Sequence, residues 1–165
     1  MAASQSEKKV VVIGIDDSEA STYAIWWTLD HFFPSPIFRL VLVHSRPAAS
    51  SVSFPGPTTS TLVLGAGQIF FVLDLGFQKT ATKVIDSAKQ LCIEKSVHDA
   101  ALEVVEGDPR NVLCMAVEKY HAAILVVGSH GRGALKRVVL GSVSDFCAHH
   151  ANCTVMIVKK PKIKH

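Results

Sequence analysis

Five short apolar runs, separated by stretches of helical spacing, constrain this chain more than any other feature. The runs are residues 10–15 (VVVIGI), 38–44 (FRLVLVH), 101–105 (ALEVV), 122–127 (AAILVV) and 154–158 (TVMIV). Each is too short for a helix, rich in β-branched residues, and mostly apolar at both parities of its alternation. A strand of that kind belongs in a sheet covered on both faces. Between the runs the period changes. Asp17, Ser18 and Glu19 offer a helix N-cap region, Ala20, Ala24, Trp27 and His31 follow at helical spacing, and Pro34 and Pro36 stop the helix. A second helix is predicted over 78–96, with Val84, Ala88, Leu91 and Ile93 as its apolar positions. Pro109 opens a third, running to Tyr120, at a position where proline is tolerated. Residues 142–151 make a fourth. Strands alternating with helices predict an α/β fold, a doubly wound five-stranded parallel sheet with helices on both faces.

A length of 165 residues suits one domain, 1–165, with one sizeable core. With 48% hydrophobic and 19% charged residues the chain is not of the disordered class. The net charge of +3 comes largely from the end, residues 159–165 (KKPKIKH). No aromatics interleave with those charges, so they read as a solvated tail rather than a nucleic-acid arm. Residues 1–8 and 160–165 are expected to be flexible. The polar N-terminus lacks the apolar stretch of a signal peptide. The four cysteines, Cys92, Cys114, Cys147 and Cys153, show no CxxC spacing and read as buried thiols. The expected setting is cytoplasmic, with passive entry into the nucleus open to so small a chain. Residues 46–77 stand apart as a loop or insert. A Pro/Ser/Thr-rich stretch leads into TLVLGAGQIFFVLDLGF, which is too short and too broken by glycine for a membrane span.

Ligands of open parallel sheets sit at the carboxyl ends of the strands. Two such ends carry unusual residues. After the fourth strand comes Gly128-Ser129-His130-Gly131-Arg132-Gly133, with Lys136 and Arg137 beyond it and Gly141-Ser142-Val143-Ser144 opening the next helix. Glycines let backbone approach a ligand, and a helix N-terminus presents free N–H groups, so the stretch reads as a phosphate cradle. It is neither a Walker A loop nor a GxGxxG fingerprint. After the first strand, Asp16 could accept a hydrogen bond from an adenine amino group or a ribose hydroxyl. A carboxylate repels phosphate, so it suits the nucleoside end of a ligand.

Gly128, Gly131, Gly141 and Ser142 complete the pattern G-x2-G-x9-G-S/T. With GIDDSE after strand one, LVLVHSRP on strand two and VVGSHGRGALKRVVLGSVSDFCAHH, the chain resembles small single-domain plant members of the ATP-binding branch of the universal stress protein family. The resemblance spans nearly the whole chain except about residues 50–77. It implies strand order 3-2-1-4-5, a homodimer through the C-terminal strand, and ATP or AMP as ligand, with Mg²⁺ accompanying ATP. It places Gly14 and Asp16 at the adenine and ribose, and Val43, His44 and Ser45 beside the base. Val127, Gly128, Gly131 and Arg132 would line the ribose and phosphates, and Gly141, Ser142, Val143 and Ser144 would hold the phosphates. The function so implied is a nucleotide-responsive dimeric binding module of the stress response, without nucleic-acid or membrane partners. No catalytic or metal-binding residue is assigned, and at most slow ATP hydrolysis is expected.

Three rival readings fare worse on the residues. A phosphorelay receiver needs an acceptor aspartate after strand three, but Asp108 precedes Pro109 where a helix cap belongs. A hydrolase would draw on His44 or His130, yet no nucleophile with its base is evident. Cys147 and His150 share a helix face, but two ligands do not make a zinc site. A fourth keeps the fold with a vestigial site, the dimer acting as a chaperone-like or scaffold protein.

Overall fold

The structure of the protein, a computed structural model, describes residues 7–33, 35–48, 66–130 and 140–162, with backbone alone over 66–77. Strands and helices alternate along them: β1 (Lys9–Ile15), α1 (Glu19–Phe32), β2 (Phe38–Arg46), α2 (Ala66–Glu94), β3 (Ala101–Glu106), α3 (Pro109–Tyr120), β4 (Ile124–Gly128), α4 (Ser142–His150) and β5 (Thr154–Val158). The strands form one five-stranded sheet in the order β3-β2-β1-β4-β5, with every neighbouring pair parallel. The expected fold class and strand order are both present.

Period-2 alternation divides the core between the two faces. Val11, Ile13 and Ile15 of β1, with Leu40 and Leu42 of β2, pack with Ala24, Ile25 and Leu29 of α1 and Val84, Ala88 and Cys92 of α2. The alternate positions, Val12, Val41, Val43, Leu125 and Val127, pack with Val112, Leu113, Ala116 and Val117 of α3 and Cys147 of α4. Val11, Val12, Ile13, Leu40, Val41, Leu125 and Val126 are fully buried. Each such side chain is worth about 1.5–3 kcal/mol relative to exposure.

The helix starts follow their caps. Ser18 caps α1, its side chain accepting the Ser21 N–H at 3.1 Å. Asp108 caps α3 by accepting the Arg110 N–H at 2.9 Å, with proline in the first turn.

One expectation needs correction. α2 begins at Ala66, not at residue 78, so the second part of the anticipated 46–77 loop is helix. Ile69, Leu73, Phe77, Ala81, Val84 and Ala88 keep helical spacing through the segment. Glycine within a helix costs only about 1 kcal/mol, less than its appearance as a break suggested. Residues 49–65 lie outside the described residues. Both ends make ion pairs where they are described. Lys8 pairs with Asp99 at 3.2 Å, and Lys160 pairs with Glu19 at 2.8 Å. Both pairs are solvent-exposed, so they guide the chain more than they stabilise it.

Candidate functional site

Strand order reverses between β1 and β4. β1 connects through α1 to β2 on one side, while β4 and β5 lie on the other. Such a switch point opens a crevice outside the carboxyl ends of the two strands. Its floor is apolar: Val43 and Val127 are almost fully buried on the α3/α4 face. Two glycines bring helices close to it. A Cβ on Gly14 would lie 2.7 Å from Cδ1 of Leu113 in α3. A Cβ on Gly128 would lie 2.9 Å from the carbonyl carbon and oxygen of Ala20 in α1. Both therefore answer first to helix packing, a reason that the sequence pattern alone does not reveal.

The β1 end is a closed polar turn. The Asp16 N–H donates to Ser21 Oγ at 2.9 Å, and Asp16 Oδ1 accepts the Ser18 N–H at 2.8 Å. Asp16 is thus a turn-forming residue as well as a candidate ligand contact. Its second carboxylate oxygen has no partner among the described residues. Ser21, buried at the heart of this turn, was missed from the sequence; its place at the third position after the cap was the available signal. His44 stands opposite Ile15 in the β1–β2 register and is buried. Its Nδ1 lies 2.8 Å from the Ile15 carbonyl oxygen. A carbonyl only accepts, so Nδ1 carries the proton. His44 thereby holds the residue just before Asp16. Ser45 is committed elsewhere: its hydroxyl donates to the Gly107 carbonyl at 2.6 Å, joining β2 to the turn after β3.

The β4 end meets the start of α4 through Ser129. The Ser129 carbonyl accepts the Gly141 N–H at 2.7 Å and lies 3.2 Å from Ser144 Oγ. Ser144 Oγ also lies 2.9 Å from the Gly141 carbonyl. Ser129 and the start of α4 are therefore joined directly. Ser144 is buried and its single hydroxyl proton is engaged by these carbonyls, so a phosphate-donor role for the hydroxyl would require it to turn. Its backbone N–H keeps that role open. Gly141 is the α4 N-cap and supplies no side-chain cap bond. The N–H groups of Ser142, Val143 and Ser144 thus form the first turn at a positive helix end with no side-chain cap, and Ser142 is exposed. His130 Nδ1 is buried without a hydrogen-bond partner, the one such side-chain atom among the described residues. Gly131, Arg132, Lys136 and Arg137 lie outside the described residues.

The structure thus brings Gly14, Asp16, Val43, His44, Val127, Gly128, Gly141, Ser142, Val143 and Ser144 to one edge of the sheet, with Ser45 turned toward β3. Asp108 does not resemble a phosphate acceptor. Arg110 donates to it through Nε at 3.0 Å and Nη2 at 2.7 Å, holding its carboxyl below the usual range. Among the described residues no group of three His, Cys, Asp or Glu side chains could hold a metal ion. Among them, too, no helix is long and apolar enough to cross a membrane.

A parallel sheet whose switch-point crevice joins an acidic β1 turn to an uncapped helix N-terminus defines the class: a doubly wound α/β protein with a candidate ligand site at the carboxyl edge. Within that class the profile of the universal stress protein family matches residues 8–159, and the chain belongs to that family. Universal stress protein PHOS34 of Arabidopsis thaliana is 32% identical over 168 residues, covering 93% of this chain and 63% of that protein. For PHOS32 of the same plant the second share is 66%, so the chain spans just under two thirds of these curated relatives. Among solved structures, UspA from Lactobacillus plantarum aligns over 92% of this chain and 98% of its own, with a TM-score of 0.70 at 16% identity. A universal stress protein family protein from Arabidopsis thaliana with AMP bound aligns over 93% and 92%, at 0.64 and 22%. The universal stress protein from Archaeoglobus fulgidus in complex with dAMP aligns over 93% and 98%, at 0.60 and 12%. At these identities the structural likeness speaks for the fold.

Proposed function

We propose that this protein binds an adenine nucleotide, AMP or ATP, across the β1–β4 crevice and acts as a nucleotide-responsive dimeric module in the stress response. The observation that carries the reading is the pair of facing ends. The α4 N-terminus, left uncapped by Gly141 and anchored to Ser129, suits an anion. The second oxygen of Asp16 suits a ribose hydroxyl or adenine amino group. The floor of Val43 and Val127 suits a flat base. His130 Nδ1 remains for a further polar contact. Two structurally similar proteins, described above with AMP and with dAMP, support the same ligand class.

In this reading the chain's residues bind and orient; none is assigned a chemical step. Mg²⁺ would enter with ATP. Differential affinity of the nucleotide for two arrangements of the glycine-rich stretch or of the dimer would carry the signal. The dimer would form along the exposed edge of β5, the last strand of the sheet. A cytoplasmic setting belongs to the same proposal.

Thermal unfolding with and without millimolar AMP, ATP and Mg²⁺ tests it. Ligand at a hundred times its Kd adds about 2.7 kcal/mol, or about 5–10 °C in Tm for a chain of this size. No shift with any nucleotide would retire the reading in favour of a scaffold whose site is vestigial.

A further inference from the structure

α3 and α4 both begin at the carboxyl edge of the sheet, after β3 and β4, and pack on the same face. Arg110 stands in the first turn of α3. Three residues further on, Leu113 lies close against Gly14 near the end of β1, which sets this part of α3 beside the crevice. Across the contact between the two helices, Cζ of Arg110 lies 5.7 Å from the ring centroid of Phe146 in α4, within cation–π range. Phe146 follows Ser142 by one turn, so the two share a helix face. A long side chain on a helix covers the turn N-terminal to its own Cα, so the ring leads the guanidinium toward the first turn of α4. His150, one turn further along, stacks on the same ring at 4.0 Å between centroids and steadies it.

We infer that Arg110 reads the phosphates beyond the first, so that the crevice favours a nucleoside di- or triphosphate over a monophosphate. The inference rests on the nucleotide reading of the crevice and names the residue that selects the length of the phosphate chain. The Arg110 side chain is 47% exposed, so a ligand can reach it. Asp108 accepts the Nε–H at 3.0 Å and one Nη2–H at 2.7 Å, which leaves three of the five guanidinium N–H groups for another acceptor.

The first phosphate belongs at the N–H groups of Ser142, Val143 and Ser144, where AMP and ATP are alike. A phosphate chain extending from there toward α3 meets the guanidinium. Asp108 competes for it, but an exposed ion pair is weak and readily exchanged. A polyphosphate brings more charge and more acceptor oxygens than one carboxylate, and its oxygens match the planar guanidinium fork. Asp108 therefore holds Arg110 in place beside the crevice and yields it to the longer ligand.

Titration calorimetry of the full chain with AMP, ADP and Mg²⁺-ATP tests the inference on the wild type, Arg110→Gln and Asp108→Asn. Arg110→Gln should leave the Kd for AMP unchanged and weaken ADP and ATP about tenfold, the scale of a partly exposed charge-assisted contact. Asp108→Asn provides the second arm. Asparagine caps a helix as well as aspartate, so α3 keeps its start while the guanidinium loses its competitor. ATP should then bind more tightly, with AMP unchanged. An ATP-to-AMP ratio in Arg110→Gln equal to that of the wild type would overturn the proposal. So would AMP and ATP weakening alike, which marks a structural role, or weaker ATP binding by Asp108→Asn. A wild type that binds none of the three retires the crevice reading itself. That result differs from a chain that binds AMP and ignores the substitution at Arg110.

Discussion

Gly128 at the end of β4 faces the backbone of Ala20 in the first turn of α1, so that a Cβ there would meet the Ala20 carbonyl carbon and oxygen at 2.9 Å. Backbone cannot swing aside as a side-chain tip can. Gly128→Ala is therefore expected to destabilise the protein by about 1–3 kcal/mol, the usual range for overpacking. Gly14→Ala should cost less, because its obstacle is the end of the Leu113 side chain. Chemical denaturation of both variants checks the order, and equal losses would show that α1 is free to move.

His44 supports the β1 end through the Ile15 carbonyl. His44→Ala should cost about 1–3 kcal/mol, since it leaves a carbonyl unpaired in a buried setting. His44→Asn should recover part of that, because the asparagine amide places a donor near the position of Nδ1. Urea unfolding midpoints of the two variants make the comparison. An alanine variant as stable as the wild type would remove His44 from its role in positioning Asp16.

Ser142 is exposed at the first position of α4. An acidic residue there complements the helix dipole, worth about 0.3–1 kcal/mol, yet repels a phosphate at the same N–H groups. Ser142→Asp should keep or raise Tm without ligand and abolish the nucleotide-induced rise. A retained rise would place the phosphate somewhere other than the α4 N-terminus.

Glu103 on β3 accepts hydrogen bonds from Lys119 Nζ and the Tyr120 hydroxyl, each at 2.6 Å. Lys119 chiefly, then Tyr120, holds its carboxyl below the ordinary value of 4.5. A lowered folded pKa contributes stability that is fully present above the unfolded value and lost as pH falls through the folded one. The same bond raises Tyr120 above 10.0, so on the alkaline side its contribution fades as pH rises through that raised value. The gap in Tm between wild type and Glu103→Gln should be widest near neutral pH and close in acid. A gap that persists unchanged at low pH would contradict this.

The strands and the helix caps were legible in the sequence because they depend on near neighbours. Apolar residues at both parities required a sheet covered twice, and Asp108 before Pro109 is a local cap signal that the structure retains. The start of α2 was harder to read, because glycines and the near absence of charge over 61–77, where Asp74 is the one charged residue, masked a helical period that continues into Ala81, Val84 and Ala88.

Which residues gather at the carboxyl edge was also foreseeable, since strand order and strand ends place them there. What each polar group does once there belonged to the tertiary structure. The Ser144 hydroxyl engages the Ser129 and Gly141 carbonyls, a pairing that no local pattern announces. The Ser45 hydroxyl donates to the carbonyl of Gly107, distant in sequence. Gly14 and Gly128, placed in the site by the resemblance, also lie close against Leu113 and Ala20. The sequence alone determined the period of each element and hence the layered sheet, because period is a property of residues a few positions apart. Hydrogen-bond partners and close approaches join residues far apart in the chain, and only the packed fold decides which of them meet.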